Sequence, residues 1–453
     1  MFSNTAISNI INTLSEKKGS PITYDELKEE LTKKNEDGGQ KYYINIKNDD
    51  DLAILYYNDI QDDDNGNTNK SNIDIESNCR SLIIDKKTLL PLGSQFNKII
   101  YNADALEKIK NVDWNKIIIQ KCYEGTMMLV YNNNNKWYVS TRRCLDSNKS
   151  KWIKNKSFRE MFNEAMEGVF ELDELNKDYC YHFILVHYKN KNIVSYPSLD
   201  NEYKKLYHTM TIKKYTLEEV EHKINNKVDT VDIEHFDNIE QVCNKLEKMS
   251  GYDEDNKKIS SEGYVIRIYE GEVKKSPFKI YKLQTPIYQK LIKMKPNNSN
   301  IHQNYLELYQ KDQLGEFLPY FTNFMPEIIQ RISTAIKTLA KEILDLYHHT
   351  RKQKNPHIYE GLTVQYKKVL YCLHGTYMSH RKQEFENKRI FRKYNSRSIN
   401  VHDVYHYLKD LPPYKLRQIF EDRIHLLKNE NMLFLDKDCV YMMTLTTLMF
   451  GNI

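Results

Sequence analysis

The spacing of apolar positions changes twice along the chain. Over residues 5–34 it is helical: Ile7, Ile10, Ile11 and Leu14 recur at intervals of three and four, which lines one face of an α-helix. Thr23 stands ahead of the run DELKEEL, where its hydroxyl suits a helix cap. Two strand-like segments follow, YYINIK (42–47) and LAILYYN (52–58). The tract 62–72 is mostly Asp, Asn, Gly and Ser and reads as a surface loop. Between Arg80 and Tyr288 strand text alternates with turns: SLIID, NKIII, MMLVY, WYVST, HFILVHY, YVIRIY and FKIYKL, all rich in β-branched and aromatic residues. Asn132 to Asn135 separate MMLVY from KWYVST in the manner of a hairpin. Helices are predicted over 158–167, 217–224 and 238–249. After KPNNSN (295–300), a plausible linker, the period becomes helical again. Ile328, Ile332, Ile336, Leu339, Ile343 and Leu346 form one stripe behind Pro326, a residue suited to starting a helix. Further helices fit 364–373, 401–408 and 414–427. The pattern predicts an α+β, antiparallel-rich domain over 51–294. A helical N-terminal extension over 1–50 precedes it, and an all-α C-terminal domain over 301–453 follows.

Composition narrows the setting. The chain has 453 residues, 40% hydrophobic and 28% charged, with a net charge of only +5. A nucleic-acid face must therefore come from local clustering and not from the whole surface. The seven cysteines, Cys79, Cys122, Cys144, Cys180, Cys243, Cys372 and Cys439, are scattered and form no CxxC pair. That argues against a disulfide framework or zinc ribbon and for a reducing, intracellular compartment. The cytoplasm is expected: a host cytoplasm, or a virion, if the chain is viral. The N-terminal residues lack a basic segment followed by an apolar run, so no signal peptide is expected. No apolar run reaches the ~18 residues of a membrane span. Heavy use of Asn, Lys, Ile and Tyr has the look of an AT-rich genome.

The candidate chemistry lies in the middle domain. Adenylylation of nucleic-acid ends needs a lysine amine with a lowered pKa to attack an α-phosphate. It also needs carboxylates for Mg²⁺ and basic groups to neutralise phosphate. The chain offers, in order, NCRSLIID with Arg80, KCYEGT with Lys121, Glu124 and Gly125, and STRRCLD with Arg142 and Arg143. YCYHFILVH around Phe183, SEGYVI with Glu262 and Gly263, and YKLQTPIY with Lys282 and Tyr288 follow. In this order and spacing the segment from Leu52 to Lys290 resembles the covalent nucleotidyltransferases. It is most similar to the phage-type, tRNA-repairing RNA ligases in the diverged form of giant DNA viruses. The resemblance implies a nucleotidyltransferase (adenylation) domain, ATP and Mg²⁺ as cofactors, and ligation of RNA through a lysyl–AMP. It implies Lys121 as candidate nucleophile, Glu262 near the metal and the reacting phosphate, and Lys282 neutralising the α-phosphate. Arg80 would line the nucleotide pocket together with Glu124, Gly125, Phe183 and Gly263. Lys98, in FNKIIYN, weakly matches another basic pocket position.

Three positions depart from the family pattern. The family's nucleophile motif is lysine, any residue, aspartate, glycine; aligning it on Glu124–Gly125 puts Cys122 at the nucleophile and Lys121 one residue early. On a strand, one residue of slip turns a side chain to the other face. A glutamate expected after Phe183 is Ile184, and the second lysine of the last motif is Gln284. Each lost transition-state contact can cost ~10²-fold in such a site. Two readings stay open: an ATP-dependent RNA ligase-like enzyme, or a degenerate relative that binds nucleotide or nucleic acid in a structural or regulatory role, such as in a virion. Capping-type guanylyl transfer shares the chemistry, but no oligonucleotide-binding barrel is evident after Tyr288. Individually, Lys121 could be a solvated strand-end lysine, Glu262–Gly263 a turn, Lys282 a sheet-face lysine, Arg80 a structural ion pair and Arg142–Arg143 a hairpin end. In the helical domain the tract 380–398 carries Arg381, Lys382, Lys388, Arg389, Arg392, Lys393 and Arg397 among Phe385, Phe391 and Tyr394. Such interleaving suits an RNA backbone and unstacked bases, or simply a charged exposed helix. No spacing among the histidines, His348–His349 included, makes a metal site.

Overall fold

The computed structural model describes residues 6–36, 38–57, 75, 78–95, 97–153, 156–190, 192–196, 202–249, 259–294, 301–320, 328–388 and 398–426. The tract 62–72, the linker 295–300 and Cys439 lie outside them. The chain divides into two compact units, Met1–Lys290 and Leu291–Ile453. The first unit is α+β with antiparallel sheets. The described part of the second is helical.

The first unit opens with α1 (Ala6–Lys18) and α2 (Tyr24–Leu31). Thr23 caps α2 as expected: its side chain accepts from the Glu26 amide while Glu26 reaches back to the Thr23 amide, a reciprocal capping box. Four strands, β1 (Ile44–Asp49), β2 (Leu52–Tyr57), β3 (Leu82–Asp85) and β4 (Pro91–Ser94), form an antiparallel sheet in that order. Every residue of β2 is buried because the sheet is covered on both faces. Ala53 and Leu55 pack with Ile7, Leu27 and Leu31 of the N-terminal helices. Leu52 and Ile54 point the other way, into a core shared with Ile118, Leu129 and Tyr131. The alternation is the period of two of a strand, and it joins residues 6–49 to the rest of the unit.

Beyond this sheet come β5 (Ile100–Tyr101), α3 (Asn102–Ile109), β6 (Ile117–Cys122), β7 (Thr126–Asn133) and β8 (Lys136–Ser140). β7 and β8 make the expected hairpin, turning on Asn134 and Asn135 at φ 50° and 60°, left-handed angles that Asn tolerates. After β9 (Lys151–Ile153) and β10 (Lys156–Ser157), a two-stranded ribbon, comes α4 (Phe158–Met166), capped by Ser157 and Glu160. Then follow β11 (Tyr179–His187), β12 (Lys204–Lys213), β13 (Glu219–Val220), β14 (Asp229–Thr230), β15 (Ile233–Glu234), α5 (Ile239–Met249), β16 (Gly263–Tyr269) and β17 (Phe278–Gln284). A six-stranded sheet runs β13-β12-β11-β7-β8, with β14 parallel to β12; a five-stranded sheet runs β15-β6-β16-β17-β5. α4 covers one face of the first through Phe158, Met161 and Phe162. The core of the second joins Ile119, Tyr264 and Ile266 to Ala105 of α3 and Val242 of α5. α6 (Pro286–Met294) follows β17.

Residues 217–224, expected to be helical, are not. Leu217 has φ 61° and Glu219–Val220 pair with β12. The cause is tertiary. Arg267, 3% exposed, donates from Nη1 to both Glu219 carboxylate oxygens at 2.9 and 3.0 Å, and the Tyr269 hydroxyl adds a bond of 2.7 Å. Holding a carboxylate on a buried guanidinium outweighs the tenths of a kcal/mol by which helix propensities differ.

In the second unit the stripe on Ile332, Ile336, Leu339 and Ile343 is buried as expected. Its helices are α7 (Ile301–Gln310), α8 (Leu314–Phe317), α9 (Ile328–Tyr347), α10 (Pro356–Glu360), α11 (Val364–Lys388), α12 (Val401–Lys409) and α13 (Pro413–Leu426). A bidentate pair between Arg423 and Glu342, both buried, ties α13 to α9. No described cysteine forms a disulfide, and no described helix is long and apolar enough to cross a membrane.

The Arg267 pair gives the fold a test. Glu219→Ala leaves a buried guanidinium uncompensated and is expected to lower stability by about 3–5 kcal/mol in urea unfolding. A loss under ~1 kcal/mol would mean that Glu219 is dispensable.

Candidate functional site

β6, β16 and β17 lie side by side, and their register decides which side chains meet. Cys122 pairs with Gly263 and Lys121 with Tyr264, while Lys282 pairs with Val265 and Gln284 with Gly263. Glu262, just ahead of β16, is 3% exposed. Its Oε1 accepts from Lys282 Nζ at 2.5 Å and from Gln284 Nε2 at 2.9 Å, and its Oε2 accepts from the Cys122 thiol at 3.3 Å. Gln284 is fixed in turn by Asn102, whose Nδ2 donates to its Oε1 at 3.1 Å and whose Oδ1 accepts from its amide at 3.0 Å. The cluster therefore gathers a carboxylate, an ammonium, an amide and a thiol from three chain segments.

Lys121 is not part of it. Its neighbour Cys122 reaches Glu262, so alternation turns Lys121 to the opposite face, the side on which Ile119 packs beneath α3 and α5. Its Nζ stands 5.4 Å from the centroid of the Tyr123 ring. Tyr123 stacks on Tyr207 at 3.8 Å and donates to Asp232 at 2.9 Å. The pairing of β6 with β16 runs without a break from Ile117 to Cys122, so no bulge returns the Lys121 amine to the cluster.

Electrostatics follow from this packing. Burial works to raise the Glu262 carboxyl, but the Lys282 charge and the bonds from Lys282, Gln284 and Cys122 outweigh it and hold it below the usual range. Burial opposes charge on Lys282, yet its anionic surroundings raise it. Burial, with Glu262 beside it, pushes the Cys122 thiol up. The thiol is thus neutral, and Glu262 is the group that keeps Lys282 charged. A raised thiol is a poor nucleophile, and an ammonium locked to a carboxylate has no lone pair to attack with.

Glu124 and Gly125 sit beside this cluster. The Glu124 Oε2 accepts from the Val194 amide at 2.7 Å, and its carbonyl accepts from Asn192 Nδ2 at 3.1 Å and the Tyr196 hydroxyl at 3.2 Å. The hydroxyl of Tyr288, 3% exposed, also bonds Glu124. Burial, then the charges of Glu124 and Glu262 beside them, raise the Tyr196 and Tyr288 hydroxyls well above their ordinary value. Gly125 is required by close approach: a Cβ there would lie 2.6 Å from both Ile184 Cγ2 and the Leu185 carbonyl. Gly263, at φ 142°, would put a Cβ 2.1 Å from the Leu283 carbonyl. Ile184 packs with Val186, Tyr207, Tyr196 and Tyr203, an apolar and aromatic wall where the family pattern has a carboxylate.

The remaining candidates lie apart. Phe183 points to the other face of β11, fully buried beneath α4 and stacked on Phe170 at 5.4 Å. Arg80 is half-buried just ahead of β3, and Lys98 is exposed two residues before β5. The Arg142 guanidinium lies 4.7 Å over the Tyr57 ring, and the Arg143 carbonyl accepts from Lys47 Nζ at 3.1 Å, so both pack toward the four-stranded sheet. Arg381 is exposed on α11, and Lys388 ends that helix. Arg389, Arg392 and Lys393 lie outside the described residues. Tyr196, Tyr288 and Gln284 complete the site without having been singled out as site residues. Tyr288 and Gln284 stand in YKLQTPIY, whereas no spacing marks Tyr196. Around Glu262 the donor set is an ammonium, an amide and a thiol proton, which does not suit a divalent cation. Among the described residues no group of three or more His, Cys, Asp or Glu could hold a metal.

No family model matches the chain. Its sequence is 33% identical over 91 residues to the immediate-early protein ICP-46 homolog of Invertebrate iridescent virus 3, a stretch that covers 19% of this chain and a fifth of that protein. Solved structures similar to it include an archaeal ATP-dependent RNA ligase, at 10% identity and TM-score 0.40, covering 72% of this chain and 82% of that one. A putative ATP-dependent DNA ligase from Aquifex aeolicus matches at 13% identity and TM-score 0.37, covering 76% and 78%. A Naegleria gruberi RNA ligase with pyrophosphate matches at 15% identity and TM-score 0.28, covering 43% and 56%.

Proposed function

We propose that this chain is an RNA ligase-like protein of nucleotidyltransferase type that no longer forms a lysyl–AMP. It acts instead by binding nucleotide or RNA without covalent chemistry, in a structural or regulatory role. The observation that carries this reading is the thiol of Cys122, and not the amine of Lys121, on Glu262. Lysyl–AMP formation needs an unprotonated amine in line with the α-phosphate. The one lysine of the cluster, Lys282, is charged and bonded to Glu262. Ile184 and Gln284 remove two further polar contacts of the family pattern. What the cluster retains is a paired charge flanked by the aromatic wall of Tyr196, Tyr203 and Tyr207, which can pack on a base without reacting with it.

Incubation with α-labelled ATP or GTP and Mg²⁺, followed by denaturing electrophoresis, is expected to leave the protein unlabelled, while equilibrium dialysis under the same conditions detects bound nucleotide. A covalent label that disappears in Lys121→Ala would overturn the proposal.

The ion pair sets a pH window. Glu262, with a lowered folded value, contributes stability above the carboxylate's unfolded value and loses it as pH falls. Lys282, with a raised one, contributes below the lysine's unfolded value and loses it as pH rises. Lys282→Met is therefore expected to cost about 3–5 kcal/mol near neutrality. The penalty shrinks on acidification, as Glu262 takes up a proton, and Glu262→Gln in the same chain recovers part of it. Chemical denaturation at several pH values reads this; a cost independent of pH would mean that the pair is not ionised.

A further inference from the structure

The second unit carries a feature separate from the Glu262 cluster. Helices α10 to α13 bound a groove of about 410 Å³, within the range of small-ligand sites. Its floor is apolar: Val369, Leu411 and Ile419 contribute. Three lysines, Lys367, Lys368 and Lys415, line it, and among the described residues no carboxylate does. Around it stand large apolar side chains left in solvent. Tyr371 is 73% exposed, Val364 65% and Tyr414 61%. An ordinary solvated helix face would carry charges of both signs there.

The lysines and rings are paired. Lys367 Nζ lies 5.4 Å from the Tyr359 ring centroid and Lys415 Nζ 5.9 Å from that of Tyr414. Along α11 the positions Val364, Lys368, Tyr371, Met378 and Lys382, all exposed, recur at steps of three, four or seven, so they form one stripe. The stripe extends the groove toward Arg381.

We infer that this groove binds single-stranded nucleic acid, with bases stacked on Tyr371 and its neighbours and phosphates on Lys367, Lys368 and Lys415. Charge complementarity calls for a polyanion. The rings decide which one. A ring as exposed as Tyr371 stands clear of the apolar floor and offers a face for stacking, a platform that an acidic helix seated on the floor would not use. Duplex is disfavoured because its bases are already stacked. The inference names a site on the helical unit and does not depend on whether the Glu262 cluster reacts with nucleotide.

The test is fluorescence anisotropy of the full chain with fluorescein-labelled oligouridylate, oligodeoxythymidylate and a duplex of matched length. Both single strands are expected to bind better than the duplex; a preference between them identifies RNA or DNA as the source. Tyr371→Ala should weaken binding roughly tenfold, the size of one lost stacking contact, and Tyr371→Phe should retain it. Replacing Lys367, Lys368 and Lys415 by Ala should reduce the slope of log affinity against log salt by about two, at ~0.7 per phosphate contact. Excess ATP should leave binding unchanged, which separates this site from the cluster. Equal loss in Tyr371→Ala and Tyr371→Phe, tighter duplex binding, or an unchanged salt slope in the triple variant would overturn the inference.

Discussion

Glu262 is a buried carboxylate, and the rest of the site is arranged around keeping it charged. Three donors, an ammonium, an amide and a thiol, meet its two oxygens. None could be exchanged without consequence: a buried anion with a missing partner costs several kcal/mol. The register of β6 on β16 delivers the thiol, and the pairing of β16 with β17 delivers the other two. Gly263 allows the two strands to pass at a distance that no side chain tolerates. The chemistry of the cluster and the geometry of the sheet are thus one constraint.

The same constraint fixes what the site can do. With Cys122 facing Glu262, Lys121 must face away. Moving it back needs a one-residue shift of β6, which would break its continuous pairing with β16 and its pairing with β15. The slip of the nucleophile motif is therefore held by the register of β6 on β15 and β16. The charges that this frame brings together, Glu262 and Lys282, therefore pair with each other.

Much of the frame was legible in the sequence because local signals and burial agree there. β2 is a continuous apolar run, β16 is one interrupted only by Arg267, Thr23 and Glu26 form a capping box, and Asn134–Asn135 turn the β7–β8 hairpin. The α+β and helical halves were legible from the change of period. Legibility failed where a distant partner decides. Residues 217–224 have helical spacing, but the Arg267 guanidinium takes Glu219 into a strand pairing. Phe183 and Ile184 are neighbours in a motif, yet alternation buries Phe183 under α4 and leaves Ile184 on the Tyr196 side. Tyr196 carries no local signal, since only the fold brings its hydroxyl to Glu124.

The central claim is that the amine beside Glu262 belongs to Lys282 and not to Lys121. Nitrogen-15 NMR of the lysine ammonium groups tests it directly, with Lys121→Arg and Lys282→Arg assigning the two signals. Glu262→Gln should displace the Lys282 resonance and leave that of Lys121 in place. A Lys121 resonance that moves with Glu262→Gln, while Lys282 stays, would contradict the account.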